Sequence, residues 1–197
     1  MSAVNAAPGP EISVEAFWVS TLLVAVGEIG DKTQLLALVL AARYRRTVPI
    51  VMGILVATLA NHALAGIAGE WVRAAMSPQM LRGLLGASFI AMGIWTLVPD
   101  KYDANDRSAS RYGVFLLTVS AFFITEMGDK TQLATVALAA QYHALAAVVA
   151  GTTLGMLLAN VPVVCIAKRA APRLPMKAIR IGAAALFVAL GAAVLLR

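Results

Sequence analysis

Six apolar runs separated by short polar connections make up most of this 197-residue chain. They cover roughly residues 15–42, 47–69, 80–98, 112–141, 144–167 and 176–196, and each is near or above the ~20 apolar residues that a helix needs to cross a bilayer. The runs are continuously apolar and lack the alternation of a lipid-facing barrel strand, so the pattern predicts an all-α integral membrane protein with six transmembrane helices. The first and fourth runs are the longest, and polar residues interrupt each of them near its middle. Gly30 and Gly128 fall at those interruptions, where they lower helix propensity and predict a local kink or unwinding.

The two interruptions are near copies. One reads Glu28-Ile29-Gly30-Asp31-Lys32-Thr33-Gln34 and the other Glu126-Met127-Gly128-Asp129-Lys130-Thr131-Gln132. The same offset of 98 residues also pairs Gly53 with Gly151, Arg82 with Arg180, Phe89 with Phe187 and Gly93 with Gly191. The chain thus reads as a tail over 1–14, a three-helix repeat over 15–98, a connecting loop over 99–111 and a second three-helix repeat over 112–197. An odd number of spans per repeat makes the second enter the membrane from the opposite side. Such inverted repeats recur in secondary transporters, which bind substrate near the midplane where the halves meet.

Composition narrows the class. With 60% hydrophobic and 13% charged residues and a mean hydropathy of +0.82, the chain is not a soluble globular domain. Its net charge of +6 is not that of a nucleic-acid binder, because the basic residues cluster between the apolar runs. Arg43, Arg45, Arg46, Lys101, Arg107, Arg111, Lys168, Arg169, Arg173, Lys177 and Arg180 fall on one side, and only Arg73, Arg82 and Arg197 on the other. The positive-inside rule then puts both termini outside the cytoplasm. Residues 1–14 lack a basic n-region and contain Pro8, Gly9 and Pro10, which reads as a loose tail and not a signal peptide. Cys165 is the only cysteine, so the chain has no intrachain disulfide and no thiolate cluster.

The chemistry lies in the repeated motif. A charge at bilayer depth is costly unless it is paired or faces a wet cavity. On a helix, residues three apart share a face, which groups Glu28 with Asp31 and Glu126 with Asp129. Pairing the halves would bring these four carboxylates toward one point. Gln34 and Gln132 sit at the edge of that face and can add amide oxygens. Thr33 and Thr131 fall on the opposite side of an ideal helix and join only if the glycines distort it. Oxygen ligands suit Mn2+, Ca2+ or Mg2+, whereas copper and zinc favour the Cys, Met or His that do not cluster here. The bland alternative is that each acid pairs with a motif lysine and merely joins helices.

Four carboxylates and the ammonium groups of Lys32 and Lys130 sum to a charge of −2, which a divalent ion would neutralise. The lysines either hold the empty site together and limit its affinity, or snorkel to water. Protons compete with metal for the same oxygens, which makes proton exchange the natural coupling. His62 matches Asn160 at the repeat offset; it can relay protons or simply bond a neighbouring helix, and Asn61 has a weaker claim. Trp18, Trp71 and Trp95 read as interfacial anchors. Asp100, Asp103 and Asp106 make an acidic cytoplasmic loop, most simply a solvated one. The expected partners are a divalent cation, protons and the lipid bilayer, with no nucleic acid. No cofactor is expected, because the cation is bound as substrate. A metal-dependent lipid phosphatase is the enzymatic alternative, but it would need an Arg, Ser or His beside the acids. A non-transporting assembly protein would not need two matched acidic motifs.

Both motifs match the signature E-x-G-D-[KR]-[TS]. In this the chain resembles the transmembrane protein 165 family, also called the second cation/calcium antiporter family, over essentially its whole length after the tail. The resemblance implies exchange of Mn2+ or Ca2+ for protons with the signature acids as the cation site. At this small size it is similar to bacterial-type Mn2+ exporters.

Overall fold

The computed structural model describes residues 9–97, 113–167 and 176–196. The connecting loop with Asp100, Asp103 and Asp106, and the basic residues Lys101, Arg107, Arg111, Lys168, Arg169 and Arg173, lie outside the described residues. Eight α-helices and no strand occur among the described residues: α1 (Pro10–Glu28), α2 (Lys32–Tyr44), α3 (Thr47–Ala75), α4 (Pro78–Thr96), α5 (Val114–Glu126), α6 (Lys130–Tyr142), α7 (Leu145–Ile166) and α8 (Met176–Leu196). Three of them, α1, α3 and α7, are long and apolar enough to cross a membrane, and α5 and the Ala184–Leu196 part of α8 are shorter apolar helices. Helix α1 starts at Pro10, so residues 10–14 of the expected tail are helical. Proline is tolerated there because the first-turn N–H groups have no helical partner.

The two longest apolar runs are not single helices. Each breaks at its motif, α1 from α2 and α5 from α6. Ile29 and Met127 leave the helices with extended dihedrals, and Gly30 and Gly128 follow at φ +83° and +75°. The Asp31 and Asp129 amides then donate to the Glu28 and Glu126 carbonyls at 3.1 and 3.0 Å. This is the pattern of a type II turn, whose third residue needs positive φ and therefore glycine. The distortion expected from the two glycines is thus a full break with a defined turn.

The broken helices cross between the halves. α1 packs on α7, and its counterpart α5 packs on α3; α6 also lies on α3, α2 on α7, and α4 pairs with α8. Small residues let these helices approach. A Cβ on Gly151 would come within 2.4 Å of the Phe17 carbonyl oxygen of α1, and one on Gly53 within 2.6 Å of Thr118 of α5. Gly53 and Gly151 are counterparts at the 98-residue offset and serve equivalent contacts, as small residues do between membrane helices. One buried cluster gathers Leu23, Phe89, Leu138 and Phe187, and a second gathers Ile50, Ile54, Phe122 and Met156. Trp18, Trp71 and Trp95 are all exposed.

Candidate metal centre

The breaks place polar residues where an unbroken helix would bury only apolar ones. Glu28 ends α1, and Asp31 caps α2, its carboxylate accepting from the Lys32 amide at 2.7 Å. Glu126 ends α5 and Asp129 stands at the N-cap of α6. All four carboxylates are buried. Carboxylates at the start of a helix also face its positive end.

Three of the four acids converge. Glu28, Asp31 and Asp129 each offer an oxygen within 4.8 Å of the others. Glu126 stands outside that group, with Oε1 accepting from Thr58 at 3.1 Å and Oε2 from the Asn61 amide at 3.5 Å. Glu28 and Asp31 meet across the turn between two helices, not along one helical face. The threonines, placed on the far side of an ideal helix, enter the site because the helices break. Thr33 donates to Glu28 Oε2 at 2.5 Å, and Thr131, from the other half, donates to Glu28 Oε1.

The lysines pair crosswise. Lys32 Nζ lies 3.1 Å from Asp129, and Lys130 Nζ lies 3.1 Å from Asp31. Each motif therefore closes on the aspartate of the other. The Lys130 pair is almost sealed, with side chains 5% and 0% exposed, whereas the Lys32 side chain is 26% exposed. Gln34 and Gln132 turn their amide oxygens to the backbone, where they accept from the Gly30 and Gly128 N–H groups at 2.8 and 2.7 Å. Their amide nitrogens reach into the other half: Gln34 donates to the Ala159 carbonyl at 3.0 Å and Gln132 to Asn61 Oδ1 at 3.1 Å. In this arrangement both glutamines clasp the turns.

His62 and Asn160 are buried, but no hydrogen bond joins either to the carboxylates among the described residues. Both ring nitrogens of His62 and the amide oxygen of Asn160 lack protein partners. Asn160 donates to the Met156 carbonyl at 3.0 Å. Asn61 carries more of the polar network than the sequence suggested, since it also donates to the Phe123 carbonyl at 3.0 Å. Thr58 was missed altogether. The available signal was its place one turn before Asn61 and His62 on α3, a polar stripe within an apolar helix.

This arrangement offers hard oxygen ligands at a buried junction of two half-helix pairs, with two of the carboxylates paired to ammonium groups. Discontinuous helices that meet at a buried polar point are how membrane transporters build ion sites. A sequence model described as divalent cation/proton antiporter GDT1 matches residues 16–104 and 114–197. A protein of Vibrio cholerae serotype O1 named "Putative manganese exporter" is 50% identical over 189 residues, covering 95% of this chain and 93% of its own. A GDT1-like protein of Synechocystis sp. is 28% identical over 193 residues, covering 87% of this chain and 92% of its own. No solved structure matches the chain significantly. The match bears out the resemblance drawn from the doubled signature, and it identifies a multi-pass membrane transporter, not an enzyme. The chain belongs to the divalent cation/proton antiporter GDT1 family.

Proposed function

We propose that this protein exports a divalent cation, Mn2+ in preference to Ca2+, from the cytoplasm in exchange for protons, and that Glu28, Asp31, Glu126 and Asp129 form its cation site. The observation that carries this reading is the crosswise closure of the motifs around three carboxylates within 4.8 Å. Manganese is favoured because the relative that is 50% identical carries a manganese exporter's name, and because all-oxygen ligands suit it. The cation is cargo, and no cofactor enters the scheme.

In this reading the chain has six spans in two inverted halves. The first half comprises α1–α2, α3 and α4, and the second α5–α6, α7 and α8; residues 99–111 connect them. The reciprocal packing of α1 on α7 and α5 on α3 supports it. So does the basic asymmetry of the connections, which puts both termini outside and the cell interior on the side of Arg43, Arg45 and Arg46. An incoming cation displaces the ammonium groups from Asp31 and Asp129. Lys32, the more exposed of the two lysines, has the shorter route to water. Protons arriving from outside then compete with the metal for the same oxygens, and rocking of one half against the other changes which side they reach. His62, buried with both nitrogens unpartnered by protein, is the candidate to hand protons on.

The test is flux in liposomes holding the purified chain. Mn2+ uptake should make the lumen more alkaline, because protons leave it in exchange. Mn2+ movement with no proton counterflow would leave a channel or uniporter as the better reading.

A further inference from the structure

A groove between α4 and α6, lined by none of the motif residues, has the chemistry of a lipid site. A cavity of about 270 Å³ is lined by Leu85, Ser88, Met92 and Trp95 of α4 and by Val136 and Ala140 of α6, among others. Ser88 carries the only hydroxyl of the lining, and its Oγ donates to the Leu84 carbonyl of its own helix at 2.7 Å. The lining thus presents an apolar wall. Along α4 it runs from Leu84 to Trp95, roughly 16 Å at 1.5 Å per residue, or about half of a ~30 Å hydrocarbon core.

Leu85 and Ala140 also line a second cavity, of about 250 Å³, whose wall adds Arg82, Gln141 and His143. Leu85 and Ala140 border both cavities, which sets the apolar trough beside a wall that carries Arg82 and His143. Arg73, near the end of α3, follows Val72, which lines the first cavity, and its charge acts on His143, which lines the second. Burial and the Arg73 guanidinium beside it push the His143 imidazole below its ordinary value, against a smaller opposing effect of Glu70. Among the described residues neither Arg73 nor Arg82 makes an ion pair, and Arg73 Nε is buried without a hydrogen-bond partner. A buried guanidinium N–H left unpaired is costly, and phosphate is its geometric match. Basic pockets between transmembrane helices on the cytoplasmic side take anionic head groups, and the same match of guanidinium to phosphate holds on the opposite side, where α3 meets α4.

We propose that this groove binds an anionic phospholipid, with an acyl chain lying between α4 and α6 and its phosphate at Arg73 and Arg82. The lipid comes from the leaflet that meets the α3–α4 connection. It stands apart from the cation site and does not depend on which ion is carried.

The test uses the full chain with Trp18→Phe and Trp71→Phe, so that Trp95 reports alone, in phosphatidylcholine vesicles. A minor fraction of lipid is brominated in its acyl chains, as phosphatidylglycerol in one arm and phosphatidylcholine in the other. Brominated phosphatidylglycerol should exchange into the groove with a preference of about five-fold per arginine, read as stronger Trp95 quenching. Arg73→Gln with Arg82→Gln should remove the preference and leave the phosphatidylcholine quenching in place. Glycerol phosphate in solution should not compete. Should the arginine variant fail to insert, Ala137→Phe, which fills the trough, should lower quenching by both lipids. Equal quenching by the two lipids in the unmodified groove would overturn the proposal, as would relief of quenching by glycerol phosphate, which would mark a free-phosphate site. Trp95 silent to both lipids, with Trp95→Cys forming disulfide-linked dimers, would show a second copy of the chain covering the groove instead.

Discussion

Lys130→Gln tests whether the lysines are stand-ins for the transported cation. The substitution keeps a polar side chain of good helix propensity but deletes the charge 3.1 Å from Asp31. At an effective dielectric of about 20, two unit charges at that distance attract by roughly 5 kcal/mol. Breaking a buried pair from one side costs about 3–5 kcal/mol, because the remaining charge stays buried. The metal-free variant should therefore unfold at lower temperature than the parent. Asp31 is then left facing Glu28 and Asp129 within 4.8 Å with one resident ammonium fewer. A divalent ion no longer has to displace that ammonium. Recovering 3 kcal/mol corresponds to binding about a hundred-fold tighter. Isothermal titration in detergent measures the affinity, and thermal unfolding with and without Mn2+ measures the linked stabilisation. Transport should nonetheless slow, since no ammonium returns to Asp31 as the ion leaves. Lys32→Gln should act in the same direction but less strongly, because water already screens its 26% exposed side chain. If Lys130→Gln binds Mn2+ no tighter than the parent, the lysine is a structural strut and the displacement scheme is wrong.

Further outcomes follow from the same geometry. Glu28→Gln and Asp129→Asn should abolish cation flux while membrane insertion stays intact, and near-normal flux from single neutralisation of all four motif acids would sink the proposed site. Affinity for Mn2+ and Ca2+ should fall as pH is lowered from about 8 to 5, because protons compete for ligand oxygens that must be ionised to bind metal; affinity flat across that range would falsify proton competition. Gly128→Ala meets no atom within 4 Å, so its cost is the left-handed backbone alone, about 1–2 kcal/mol, seen as a melting temperature lowered by a few degrees. A reporter fused after Arg197 should be active only in its extracytoplasmic form, and cytoplasmic activity would reverse the proposed direction of export.

The local features of this protein were legible in its sequence. Runs of apolar residues announce membrane helices because backbone polar groups in hydrocarbon must bond within their own segment. Charges inside such runs mark a candidate site, because their desolvation is costly. Gly30 and Gly128 announced a distortion, since only glycine takes φ near +80° without strain. Tertiary structure decided what those residues do to one another. The sequence cannot say that Lys32 pairs with Asp129 and Lys130 with Asp31, because those partners are almost a hundred positions apart and meet only when the halves cross. An ideal helix puts Thr33 and Thr131 on the wrong side; the turn that ends α1 and α5 resets the angular register of everything after it, and both hydroxyls reach Glu28. The two signature glutamates are equivalent as letters but not in place. Glu126 faces Thr58 and Asn61 of α3, whereas the positions of α7 matching those two are Met156 and Ala159, which carry no side-chain donor for Glu28. That asymmetry arises from packing each broken helix against the other half, because long-range contact, not local spacing, determines which donors a buried carboxylate finds.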